Sequence, residues 1–483
     1  MWALFGKRES KRATPPVVYL ANTLSGNKEV FVPLKAGAVL MYTCGPTVYG
    51  PPHLGNYRAY IFADTLARVL TEAGYHVRRV INITDVGHMV GDGDEGEDKM
   101  AVGAKREQAS PAEIAERYTQ IFLKELTELN IDTSSILFPR ATEYIKEQIA
   151  MAKTLEEKGF AYRIEDGLYF DTSHFPSYGR LGNIGHAQLL SGARVAPVAG
   201  KRHPSDFALW RAAKPHDLQQ WPSPWGRGNP GWHLECSAMI RSLLGLEIDI
   251  HTGGEDHIAT HHNNEIAQSE CANGRPLARY WLHNAFLTMG GEKISNSLGN
   301  VYDHEDVAQR GYHPLAVRYL FLQAHYRTPA SFTWEALASA DEALRRLWRL
   351  AGEIDDEAEG ETASSEATER FSSLMRDDLG SPQALGVLWE SLRSEDYTAE
   401  EKWGLLELAD RYLGLSLVEP PEGALALSEE AVPQEVRDLL TRREEARTSK
   451  DYALADSLRA DIETRGYTVD DTAQGAVVRR YRG

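Results

Sequence analysis

The stretch VLMYTCGPTVYGPPHLGN, residues 39–56, decides the fold. Its first six residues, Val39 to Cys44, are an apolar run of strand character that stops at the Gly45-Pro46 turn. The loop from Tyr49 to Asn56 leads into a helical pattern. Ile61, Phe62, Leu66, Val69 and Leu70 share one side of it, and Gly74 is its stop. A second strand is expected near Val77 to Thr84. Strand, loop, helix and strand form a βαβ unit, which predicts a right-handed crossover and a parallel sheet. Ligands of such sheets sit at the carboxyl ends of the strands, where Cys44 and Thr84-Asp85 fall.

Downstream, Ser110-Pro111-Ala112-Glu113 has capping-box spacing and opens a helix towards Asn130. Apolar flanks on both sides of Asp166-Gly167 predict a β-hairpin. Residues 136–212 are read as an insertion between two halves of the sheet domain, 17–135 and 213–277. The second half carries a helix near Trp232 to Leu244, a strand at Ile248-Asp249-Ile250 and a helix from about His257 to Ala272. From about 313 to Leu415 the pattern is helical, interrupted by the acidic run 353–369, EIDDEAEGETASSEATE, read as a solvated loop. Pro420-Pro421 then precedes a small C-terminal module.

The chain has 483 residues, 42% hydrophobic and 25% charged, which suits several folded domains. No apolar run reaches the roughly 18 residues of a membrane span, so no membrane partner is expected. The N-terminal order, Met1 to Gly6 and then Lys7, Arg8, Lys11 and Arg12, is not that of a secretory signal. A cytosolic protein with a flexible extension at 1–16 is the expectation. Only Cys44, Cys236 and Cys271 are present, too few for a disulfide scaffold. A net charge of −18 weighs against nucleic acid as a partner, although local basic patches escape that count.

His261 and Glu265, four residues apart, share a helix face, and Cys44 and Cys236 each fall at an active edge of the same sheet. Two thiolates, an imidazole and a carboxylate suit zinc. Burial of the cysteines as small apolar residues explains the same pattern, and the residues alone leave both readings open. His257 and His261 have zinc-protease spacing but lack the glutamate directly after the first histidine.

No Walker loop or Gly-x-Gly-x-x-Gly comes after the first strand. In that place His53-Leu54-Gly55-Asn56 stands at the start of a helix, whose free N–H groups suit phosphate. Residues 290–300, GGEKISNSLGN, form a loop with a single lysine, Lys293, and read alone as a surface turn.

Together these pieces resemble the class I aminoacyl-tRNA synthetases, and among them the cysteinyl-tRNA synthetases. The resemblance rests on TCGPTVYGPPHLGN (43–56), NITDVGH (82–88), GWHLECSAM (231–239), HHNNEIAQ (261–268) and KDYALADSLR (450–459), and extends from about Val18 to the end. It implies an α/β protein: a Rossmann-like parallel-sheet catalytic core with an insertion, then a connecting fold (278–335), an α-helical bundle (336–425) and a small C-terminal domain (426–483) that reads tRNA. It implies one zinc per chain on Cys44, Cys236, His261 and Glu265, binding the thiol of the substrate L-cysteine. ATP with Mg²⁺ would lie on His53, Gly55, Asn56, Asp256, Lys293 and Ser295. His53, Asn56 and Lys293 would be catalytic, and Thr84 and Trp232 would meet the substrate, with core packing as the competing reading of Trp232.

The implied reaction joins cysteine to tRNA(Cys) through cysteinyl-adenylate, in a monomer. The signature usually reads Lys-Met-Ser-Lys-Ser, but here it is Lys293-Ile294-Ser295-Asn296-Ser297, so Asn296 stands where a phosphate-binding lysine is expected. Two alternatives remain: a ligase joining cysteine to a small-molecule acceptor, and an inactive zinc- or cysteine-binding paralogue. Arg442, Arg443, Arg447, Lys450, Arg479, Arg480 and Arg482 are the candidates for tRNA contact, or else solvated surface charge.

Overall fold

A computed structural model describes residues 16–87, 99–184, 199–215, 217–290, 292–293, 301–358, 362–421, 424, 432–472 and 475–480. Val39 and its neighbours form the strand Ala38–Thr43, followed by the helix Leu54–Glu72 and the parallel strand His76–Ile81. That strand stops short of the expected Thr84, because Ile83 and Thr84 leave it to bridge Arg140 and Thr47.

The central sheet is parallel throughout, in the spatial order Ala278–Asn284, Ile248–Gly254, Ala38–Thr43, His76–Ile81 and Ile136–Leu137. The helix Leu54–Glu72 packs against it, and Val39, Met41, Val80, Ile81, Ile248, Ile250 and Leu282 of its strands are buried. The chain order reverses between Ala38–Thr43 and Ile248–Gly254, the place where such sheets bind ligands. Ile136–Leu137 and Ala278–Asn284 thus belong to this sheet, although the sequence pattern assigns them to the insertion and the connecting fold.

A second, antiparallel sheet holds the expected hairpin, Ala161–Ile164 with Gly167–Phe170. It continues through Phe207–Ala212 to Trp221–Ser223 and Gly226–Pro230, beyond the expected limit at 212. Ser110 caps the helix Pro111–Glu128 with the anticipated reciprocal bonds to Glu113. The expected single helix from His257 is two, Asp256–Ala259 and His261–Asn273, broken at Thr260 where φ is −128° and ψ −66°.

The acidic run 353–369 is likewise not one loop. The helix Trp334–Glu357 runs into it and Glu366–Arg376 starts within it, with Ser365 as cap. Leu344, Leu347, Phe371 and Leu406 of the helical region share a core with Leu66 and Val69 of the Leu54–Glu72 helix. Two helices, Gln434–Thr448 and Tyr452–Glu463, and the hairpin Tyr467–Thr472/Gly475–Arg480 form the C-terminal module around Val436, Leu458, Ile462 and Val478. Among the described residues no helix is long and apolar enough to cross a membrane.

Candidate active site

Three elements aim side chains at the switch point. Cys44 comes directly after the strand Ala38–Thr43 and is held by a backbone bond from its N–H to the Thr252 carbonyl, 3.1 Å. Gly45 is next because any Cβ there would collide with the Asn82 carbonyl. Cys236 lies in the helix Trp232–Leu243, whose cap Gly231 is similarly pressed against the Ala208 carbonyl. His261 and Glu265 lie one turn apart on His261–Asn273. That helix buries His261, His262, Asn263, Asn264, Glu265, Gln268 and Ser269, where an ordinary core helix buries apolar residues.

The ligand atoms of Cys44, Cys236, His261 and Glu265 all lie within 4.8 Å of one another. His261 Nε2 is 2.8 Å from a Glu265 oxygen and 3.7 Å from Cys236 Sγ, and Cys44 Sγ is 3.8 Å from Glu265. The cluster is buried and able to hold a metal.

Its electrostatics are those of ligands packed close together. Burial pushes the Cys44 thiol up. A hydrogen bond from Cys44 outweighs burial to bring Cys236 down to about 7. Burial works against the charged form of His261, but the Glu265 carboxylate and Cys236 prevail and raise it to about 10.

Several partners are invisible from spacing. His251 Nε2 lies 2.9 Å from the other Glu265 oxygen, and His233 Nδ1 lies 2.8 Å from His261 Nδ1. His262 Nε2 lies 3.3 Å from Cys44 Sγ and its Nδ1 2.7 Å from His283. Cys44, His251, His262 and Glu265 make a second possible ligand set sharing two members with the first. Only the crowding of histidines between 251 and 262 hints at these; His233 and His283 come from other elements.

Beside the cluster is a cavity of about 580 Å³. It is lined by Cys44, His53, Gly55, Asn56, Trp232 and Asp256, so six of the expected residues share one cavity. Asn56 accepts a bond from the His53 N–H at 3.0 Å, fixing the helix start, while the buried His53 Nδ1 has no protein partner. Burial lowers the His53 pKa, so its ring is neutral at pH 7. The Trp232 ring lies 4.3 Å from that of His261.

Thr84 is different: it is buried, bonded to the Asn82 amide at 3.0 Å, and does not line the cavity, whereas Thr47 does. The backbone of Lys293 pairs with Thr288 in a short hairpin. The Lys293 side chain, Ser295 and Asn296 lie outside the described residues, as do residues 1–15, Arg482 and the side chains of Arg479 and Arg480. Arg443 is buried and bonded through both terminal nitrogens to Asp471, so its charge is already engaged.

Comparison with known proteins fits this geometry. Residues 30–342 match the model of the class I (C) tRNA synthetase catalytic domain, and 429–479 match the cysteinyl-tRNA ligase anticodon binding domain. Cysteine–tRNA ligase 1 of Burkholderia lata is 47% identical over 466 residues, covering 94% of this chain and 95% of its own. The chain belongs to the cysteine–tRNA ligase family.

The enzyme of that name from Chlorobaculum tepidum is 40% identical over 479 residues, covering 95% of this chain and 98% of its own. Methionyl-tRNA synthetase of Mycobacterium tuberculosis, solved with methionyl-adenylate, shares the fold at TM-score 0.53 and 17% identity. That match covers 80% of this chain and 92% of the solved one. The α/β class I synthetase fold, with its helical C-terminal region, is therefore that of this family member.

Proposed function

We propose that the protein attaches L-cysteine to tRNA(Cys) in two steps. A cysteine carboxylate oxygen attacks the α-phosphorus of ATP, and pyrophosphate leaves with the electrons of the broken P–O bond. The terminal ribose hydroxyl of the tRNA then takes the aminoacyl group, and AMP leaves.

The observation that carries this reading is the convergence of Cys44, Cys236, His261 and Glu265 beside a cavity that also holds the His53 helix start. Two sulfurs, one nitrogen and one oxygen fit zinc, and a zinc ion held there would bind the substrate thiolate but not a serine hydroxyl or an alanine methyl. Shape alone separates cysteine from serine poorly. His53, neutral and with an unpartnered Nδ1, is suited to an ATP phosphate oxygen, and the helix start behind it adds free N–H groups. Asp256 and Trp232 both line the cavity, which supports assigning Asp256 to the substrate ammonium or a ribose and Trp232 to the pocket wall. Lys293 is assigned to transition-state charge and Mg²⁺ to the triphosphate. Three buried free thiols suit a cytosolic enzyme.

Exposed Arg442 and Lys450 on the C-terminal module, with half-buried Arg447, which pairs with Asp471, remain the basic candidates for tRNA, supported by the match to the anticodon binding domain. Charging of tRNA(Cys) with labelled cysteine, with serine as competitor, tests the proposal. Cysteine should be charged and a large excess of serine should not. Equal use of serine, or no charged tRNA, contradicts it.

A further inference from the structure

The proposed reaction brings two anions together, the cysteine carboxylate and the α-phosphate, in a cavity that already contains Asp256 and Asp303. Asn296 removes one cation usual in the signature loop. Two others line the cavity, Lys99 and Arg106, both on the helix Lys99–Glu107. Seven residues is close to two turns, so they share one face. Arg106 is engaged by its neighbours: it donates to the Tyr49 carbonyl at 2.9 Å and the Tyr118 hydroxyl at 3.2 Å, and pairs with Glu107 at 2.8 Å. It holds the loop ahead of His53.

Lys99 faces the wall beside the cluster. Its ammonium lies 5.6 Å above the Trp232 ring, and that ring is 4.3 Å from the ring of His261. Cysteine is short, with one methylene and the α-carbon between sulfur and carboxylate. A thiol held at the four-residue cluster therefore keeps its carboxylate close to that cluster, and the Trp232 ring links the cluster's His261 to Lys99.

We propose that Lys99 contacts the reacting carboxylate and α-phosphate and supplies positive charge as the carboxylate oxygen–phosphorus bond forms and pyrophosphate departs. This rests on the synthetase reading and adds a residue to it. Lys99 thereby offsets part of what Asn296 lacks, from a different element.

The test is cysteine-dependent ATP–pyrophosphate exchange in the full chain, comparing Lys99→Met, which keeps the aliphatic stem over Trp232, with Lys99→Arg. Lys99→Met should lower kcat about 10²-fold, as expected for loss of one preorganised charge, while KM for ATP changes less than about threefold. Lys99→Arg should recover at least about tenfold of that loss. Melting curves monitor folding, and Lys99→Gln replaces the Met variant should that variant not fold. Exchange in the neutral variant within about threefold of wild type, or an equal loss in Lys99→Arg, overturns the assignment. Absence of exchange in the wild-type chain instead refutes the synthetase reading, so the two failures are distinct.

Discussion

At the scale of single residues, charge and donor atoms decide the site. His251 bonds the Glu265 oxygen turned away from His261 and so fixes the carboxylate that completes the cluster. Partners of this kind typically change metal affinity by about 10–100-fold. His251→Ala should therefore weaken zinc retention by about that factor in a chelator competition, with all four ligands still present.

Glu125 offers a pH test away from the cluster. Burial, followed by Asp303, Glu128 and Glu305, raises its pKa to about 8, and the Tyr57 hydroxyl donates to it. The folded chain then holds a proton that the unfolded chain releases near the ordinary 4.5, so stability falls as pH rises between about 4.5 and 8. Glu125→Gln should remove that slope. Urea titrations should show it little changed near pH 5 and more stable than wild type at pH 8, by on the order of 1–3 kcal/mol.

The four proposed ligands come from the family resemblance; spacing alone puts His261 and Glu265 one turn apart and leaves Cys44 and Cys236 equally open to a packing role. Thr84 is not placed as its position suggests, because a strand end does not reveal which side chain turns inward, and here Thr47 takes the lining position.

At the scale of elements, the βαβ reading of residues 39–84 is legible because apolar runs, a Gly-Pro turn and helical periodicity agree with one another. The break at Thr260 is not, since His257 to Ala272 contains no proline or glycine to mark it, yet Thr260 takes φ −128° and ψ −66° between the two helices. The acidic run misleads because its composition suggests solvation, while a cap at Ser365 and apolar residues such as Phe371 extend the flanking helices. Gly45 shows how tightly an element is fitted. A methyl there must displace the Asn82 carbonyl and with it Cys44. Gly45→Ala should cost about 1–3 kcal/mol of stability and lower zinc content, read by thermal melting and metal analysis.

Across the whole molecule, one buried carboxylate ties the catalytic sheet to the helical bundle. Asp64 of the Leu54–Glu72 helix accepts from Arg79 at 2.8 Å, Arg68 at 2.7 Å and Arg318 at 2.7 Å. Arg318 also donates to the carbonyls of Leu413, 2.6 Å, and Leu129, 3.0 Å. Burial alone would raise the Asp64 pKa, but Arg318 and its neighbours hold the carboxyl well below the usual range. Removing such a partner strands buried charge, so Asp64→Ala should destabilise the chain by about 3–5 kcal/mol in chemical denaturation. No local sequence pattern announces this node, since its members are separated by up to 254 positions.

The central claim is that this chain activates cysteine with ATP. Its most direct test is ATP–pyrophosphate exchange in the wild-type protein with cysteine, serine or no amino acid added. Exchange that requires cysteine and is not supported by serine is the predicted result. Exchange with none of the three would contradict the account and leave a protein that binds cysteine or zinc without activating the amino acid.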